Sequence, residues 1–236
     1  VATGLAGALG VTAACGGGGD ETLVVFAASS LTDAFAELEV AFERERPGVD
    51  VLVNLSGSSS LAAQIEQGAP VDVFAAADER TMARVADEVD GDPTVFARNR
   101  LAIAVAAGNP HEISSLADLE RDELVVVLAA PEVPAGAYAR EAAAESGIEL
   151  QPDSLEQSVR AVAAKVALGE ADAGVVYRTD VDPDDDRLAM VEIDSDQVAT
   201  YPIAVVTDRG LARDFVAFVT GPVGREVLVD AGFEVP

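Results

Sequence analysis

Two rhythms of apolar residues alternate along the chain. Short runs rich in Val, Ala, Leu and Ile predict strands near Thr22–Ala27, Val49–Asn54, Val71–Ala75, Leu101–Ala106, Leu124–Leu128, Ala173–Tyr177, Leu188–Ile193 and Pro202–Val206. Between the first two, Leu31, Phe35, Leu38 and Phe42 recur at helical spacing until Pro47-Gly48 stops them. A second helix begins around Leu61 and Ile65 and ends at Gly68, and an alanine-rich third covers about residues 137–146. A fourth runs from Val159 to Leu168, and two more, near Leu211–Val219 and Val223–Val229, close the chain. Strands alternating with helices predict an α/β fold of parallel sheets with crossover helices.

No linker long enough to separate independent domains occurs, so two lobes, if present, must be joined by strands. The first 21 residues stand apart. Val1 to Ala14 are apolar and uncharged, too short to span a bilayer, and resemble the core of a signal peptide. The basic segment that normally precedes such a core is missing, so the gene product is expected to begin upstream. Thr12-Ala-Ala-Cys15 resembles a bacterial lipobox, which makes Cys15 the expected lipid attachment site, with Gly16–Gly19 as a flexible tether. Cys15 is the only cysteine, so an internal disulfide is excluded.

Composition narrows the partners. Against 42 Asp and Glu stand 15 Lys and Arg, a formal net charge of −27, and phosphate repulsion on that scale argues against nucleic acid. Catalytic constellations fail on residue types. The single His111 sits in a turn sequence with no second His or Cys for a metal site, no G-x-S-x-G elbow occurs, and Gly57–Ser60 lacks the lysine of a phosphate-binding loop. The acidic turn Asp182–Arg187 lacks the glycine and distal glutamate of a calcium loop and reads as solvated.

Two similar junctions remain. Phe26-Ala-Ala-Ser-Ser-Leu31 and Leu55-Ser-Gly-Ser-Ser-Ser-Leu61 each run from a strand through serines into a helix. The first amides of a helix lack intrahelical acceptors and carry partial positive charge, so they can hold a small anion without a basic side chain, and serine adds a hydroxyl donor. Plain helix capping is the competing explanation: Ser30 with Asp33 has capping-box spacing, and any of Ser58, Ser59 or Ser60 could cap the next helix. Two junctions at the carboxyl ends of neighbouring parallel strands favour a ligand, because that edge is where open α/β sheets bind them.

The serine segments, with Val73-Phe-Ala-Ala-Ala-Asp78, Val133-Pro-Ala-Gly-Ala-Tyr-Ala-Arg-Glu141, Gly174-Val-Val-Tyr177 and Tyr201-Pro-Ile-Ala-Val-Val206, resemble the molybdate-binding proteins of bacterial ABC importers, from about Thr22 to the C-terminus. The resemblance implies a two-lobed type II periplasmic-binding fold with the ligand cleft between the lobes. It divides the chain into residues 22–98 plus 202–236 and residues 99–201, with crossing strands near Arg98–Arg100 and Thr200–Tyr201. By motif it implies Ser30, Ser58, Ala135, Val159 and Tyr177 as ligands to the oxyanion; Ala135 and Val159 could contribute only backbone amides. Gly57 departs from the pattern, standing where relatives often carry another serine. Further implications are molybdate or tungstate as ligand with no cofactor, molybdenum held only as the oxyanion without direct protein ligands, no catalysis, an ABC permease as partner, and a monomer outside the cytoplasm, lipid-anchored to the membrane. Sulfate or phosphate is the alternative ligand.

Overall fold

In a computed structural model of the chain, residues 21–183 and 185–236 are described. The leader, Cys15 and the glycine tether lie outside them. Among the described residues nine strands form one sheet bent into two halves, eight on a continuous path and the ninth paired off it to one of the eight. The first is ordered β2 (Val49–Ser56), β1 (Glu21–Ala28), β3 (Val73–Ala75), β9 (Val198–Val205) and the start of β4 (Thr94–Ala106). The second contains the rest of β4, then β7 (Ala173–Tyr177), β5 (Val126–Ala129) and β6 (Ser154–Glu156), with β8 (Leu188–Glu192) also paired to β4. Within each half the crossover strands pair parallel, β1 with β2 and β3, and β5 with β6 and β7. The strands that join the halves pair antiparallel. Thr94–Arg100 of β4 lies against β9, while Leu101–Val105 lies against β7. Arg98 pairs with Thr200 and Ala97 with Tyr201.

Alternation explains the layering of the first half. Leu23, Val25 and Ala27 of β1 face one cluster and Phe26 the opposite one, as a two-residue period requires. On the first face lie α1 (Thr32–Glu45), α6 (Gly210–Thr220) and α7 (Pro222–Asp230). Phe42 meets Phe215 and Phe218 edge-on at 5.1 and 5.3 Å. On the other face Phe26 and Phe74 pack with Leu61 and Ile65 of α2 (Ser58–Glu66) and Met82 of α3 (Glu79–Arg84). The second half is covered by α4 (Pro134–Glu145) and α5 (Val159–Ala167). Deleting a buried Leu or Phe from such a core typically costs about 2–5 kcal/mol.

This arrangement fixes where the serines go. β1 and β2 run parallel in register to Ala28 opposite Ser56, so Ser29-Ser30 and Gly57-Ser58 leave the sheet side by side. Across the bend, β5, β6 and β7 end at Ala129, Glu156 and Tyr177, from which α4 and α5 begin.

Candidate binding cleft

Between the halves lies a small cavity, partly open to solvent, with about 190 Å³ of space between its atoms, lined by Ala28, Ser29, Ser30, Gly57, Ser58, Ala77, Val133, Pro134, Ala135, Val159 and Tyr177. All five residues singled out from the sequence, Ser30, Ser58, Ala135, Val159 and Tyr177, stand on its wall. No charged side chain does. The volume open to the centre of a water-sized sphere is only about 10 Å³, far below the roughly 300–1,000 Å³ of drug-sized ligand pockets, so the space suits only a small solute. A larger depression of about 780 Å³ beside Met82, Val89 and Pro93 includes none of the five.

Each wall residue sits where an element begins or ends. Ser29–Leu31 form a single 3-10 turn that leads into α1, Ser58 opens α2, Ala135 is the second residue of α4, and Val159 is the first of α5. Four helix starts therefore converge on one small space, each with first-turn amides that have no intrahelical acceptor. The partial positive charge carried by a helix start favours negative charge there without a basic side chain.

Neither Ser30 nor Ser58 acts as a helix cap. The cap positions of α1 and α2 are Leu31 and Gly57, and neither helix start has a side-chain capping bond. Instead the Ala77 N–H donates to Ser58 Oγ at 3.0 Å, which leaves the Ser58 hydrogen free to donate into the cavity. Ser30 Oγ lies 2.9 Å from the Tyr201 hydroxyl and either oxygen can donate; with Tyr201 as donor, the Ser30 hydrogen is free to turn into the cavity. Ser59 hydrogen-bonds the Glu132 carbonyl across the cleft. Capping is done by Ser158, whose Oγ accepts from the Ala161 N–H of α5.

Tyr177 is 1% exposed and its hydroxyl has no hydrogen-bond partner. An unpaired buried donor costs about 1–3 kcal/mol, and an acceptor in the cavity would remove that cost. Burial, with Tyr201, Tyr138, Asp180 and Asp78 nearby, raises its pKa well above the usual phenol value, so it remains a donor.

Behind the wall, Asp180 accepts from the Tyr177 amide at 3.1 Å and pairs with Arg160 Nε at 3.4 Å, a contact too long for a hydrogen bond. Burial pushes the Asp180 carboxyl up to about 7. Arg160 also pairs with Asp33 of α1, so one guanidinium bridges the two halves. On another side Arg80 pairs with Glu141 at 3.0 Å and lies over the Tyr138 ring. His111 lies in a turn, as its sequence suggests, and sits 3.0 Å from Asp172.

A small, uncharged, donor-lined space between two sheet halves is the geometry of a solute-binding protein, and the sequence comparison agrees: residues 23–234 match the family of bacterial extracellular solute-binding proteins. The chain belongs to that family. It is one of solute-binding transport proteins. The chain is 44% identical over 225 residues to the molybdate-binding protein ModA of Mycobacterium tuberculosis, covering 92% of this chain and 86% of that protein. It is 32% identical over 229 residues to ModA of Escherichia coli, covering 90% and 89%. Among solved structures, the periplasmic molybdate-binding protein of Azotobacter vinelandii superposes with a TM-score of 0.77 at 19% identity, covering 91% of this chain and 99% of that one. The sulfate-binding protein SubI of M. tuberculosis does so at 0.78 and 20%, covering 91% and 87%. At those identities both likenesses establish the shared two-lobed family fold.

Sequence reasoning missed the groups that hold the wall in place. Tyr201 lay in a quoted motif without a role. Arg160 directly follows Val159, and Asp180 lies three residues beyond Tyr177. An arginine beside a ligand position and an acid beyond a strand end were the available signals, but their pairing depends on the fold.

Proposed function

We propose that the protein captures molybdate, with tungstate as a near-equivalent ligand, outside the cytoplasm and delivers it to a membrane ABC importer. The observation that carries this reading is the convergence of four helix starts and the unpaired Tyr177 hydroxyl on one cavity with no charged wall. Such a site offers donors from two sides and no acceptor carboxylate. It fits a fully deprotonated tetrahedral dianion better than phosphate, whose remaining proton at neutral pH needs an acceptor. The 44% and 32% identical relatives are molybdate-binding proteins, which supports the same ligand.

In this reading Ser30, Ser58 and Tyr177 donate hydroxyl hydrogens, and Ala135 and Val159 donate backbone amides. The lobes comprise residues 22–98 plus 202–236 and residues 99–201, close on the ligand about the strands near Arg98–Arg100 and Thr200–Tyr201, and carry out no reaction. The protein acts as a monomer held at the membrane by lipid on Cys15. Molybdate is cargo, and its molybdenum touches no protein atom directly.

Crystals grown with sodium molybdate test the site. An anomalous molybdenum peak in the cavity within hydrogen-bond reach of Ser30, Ser58 and Tyr177 is the expected result; a peak elsewhere, or none, refutes it.

A further inference from the structure

Arg160 touches the supports of three wall residues at once. It directly follows Val159 on α5, and its guanidinium pairs with Asp33 of α1, three residues after Ser30. Its Nε lies 3.4 Å from Asp180 Oδ1, three residues beyond Tyr177, and Asp180 Oδ2 accepts the Tyr177 amide at 3.1 Å. Ser30 belongs to the first half of the molecule, Val159 and Tyr177 to the second. Arg80 also reaches across, to Glu141, but it lies on α3, which contributes no residue to the wall.

The two ends of the link differ. Asp180 is buried, and its pair with Arg160 stays within the second half, fixing α5 to the turn after Tyr177. The Asp33 side chain is 70% exposed, and its pair is the one that crosses to the first half. Arginine suits such a place because its planar fork offers separate N–H groups to two carboxylates, which a single ammonium does not. Charge is not what the arrangement supplies. One guanidinium against two carboxyl groups leaves no net positive charge, whether Asp180 is ionised or not.

We propose that Arg160 is a positioning residue of the oxyanion site, tying the start of α5 to α1 and to the turn after Tyr177 so that the Val159 amide and the Ser30 and Tyr177 hydroxyls hold one spacing. This rests on the oxyanion-binding reading above. Without the link, the ligand itself must order these donors, and that ordering is subtracted from affinity.

The test is calorimetric titration of sodium molybdate into the wild type, Asp33→Asn, Arg160→Gln, Arg160→Lys and the Asp33→Asn/Arg160→Gln double variant. Asp33→Asn decides by sign. Removing a carboxylate near the cleft reduces repulsion of a dianion, so charge alone predicts tighter binding; loss of the link predicts binding about two- to fivefold weaker. Arg160→Gln should weaken binding by about tenfold, and Arg160→Lys, which keeps the charge and one partner, should recover part of that loss. In the double variant the losses should not add, because both substitutions cut the same link. Asp33→Asn binding as tightly as the wild type or tighter, no recovery with lysine, or additive losses would each overturn the inference while leaving the function intact. Ligand-free melts exclude a role in the fold alone: Asp33→Asn should melt with the wild type, and a clearly lower melting temperature would overturn the inference. A wild type that binds no oxyanion overturns the functional reading itself.

Discussion

The Tyr201 hydroxyl lies 2.9 Å from Ser30 Oγ, joining a strand shared by the two halves to the first serine of the cleft across 171 residues. Because the tyrosine stands behind the serine, it determines where the serine hydrogen points. Tyr201→Phe should keep the fold, with the ring still packed against Phe233 and Phe96, and weaken molybdate binding by about 0.5–1.5 kcal/mol, roughly two- to tenfold. Calorimetric titration of the variant measures this; unchanged affinity would show that Ser30 needs no support.

Tyr177 separates a structural from a ligand-directed hydroxyl by sign. A hydroxyl serving the fold would cost stability when removed. This one has no partner, so Tyr177→Phe should leave the ligand-free protein as stable as the wild type or more so. Binding should weaken by about 1.5–3 kcal/mol, since a charge-assisted hydrogen bond is lost. Paired thermal melts with and without molybdate read both effects, and a destabilised ligand-free variant would contradict the assignment.

Much of this was legible because local pattern and tertiary burial agree. Leu31, Phe35, Leu38 and Phe42, spaced for one helical face, are all at most 1% exposed. The start of β4 was not legible. The apolar run begins only at Leu101, and Arg98–Arg100 entered the reading only as a crossing implied by the family resemblance; these residues pair with β9 on one side and bond Glu234 on the other, partners distant in sequence. β6 is only Ser154–Glu156 with no buried residue, so it leaves no apolar signature. α3 did have a signal, Asp78, which caps it through the Thr81 amide, but six residues are too few for a periodic stripe. The alanine-rich helix begins at Pro134, earlier than residue 137, because proline suits the first helical turn. At the site, serines and glycines mark helix starts, whereas Ala135 and Val159 act through amides that no side chain advertises.

Asp180 makes stability depend on pH in a defined direction. Its carboxyl is raised from 3.8 to about 7 in the fold by burial, despite the opposing charge of Arg160 and the Tyr177 amide. Between those values the native protein holds a proton that the unfolded chain has released. The contribution is therefore fully present below about pH 4 and lost as pH rises through about 7. Asp180→Asn cannot titrate. Denaturant unfolding of both proteins from pH 4 to 8 should show wild-type stability falling relative to the variant across that window; a flat difference would contradict the assignment.

Cys15→Ser should move the protein from the membrane to the soluble fraction with molybdate affinity unchanged, as fractionation and titration would show. Retention on the membrane would point to another anchor.

Ser58 offers the most direct measurement of the central claim, recognition of a bare dianion by neutral donors. Calorimetry should give one molybdate per wild-type chain, nearly one-for-one displacement by tungstate, and poor competition from sulfate, which is too small to reach donors on both sides. Ser58→Ala should lose about 1.5–3 kcal/mol, roughly ten- to a hundredfold, and Ser58→Asp far more, because a carboxylate would face the ligand charge in a weakly screened cleft. Sulfate binding as tightly as molybdate, or Ser58→Asp binding like the wild type, would contradict the account.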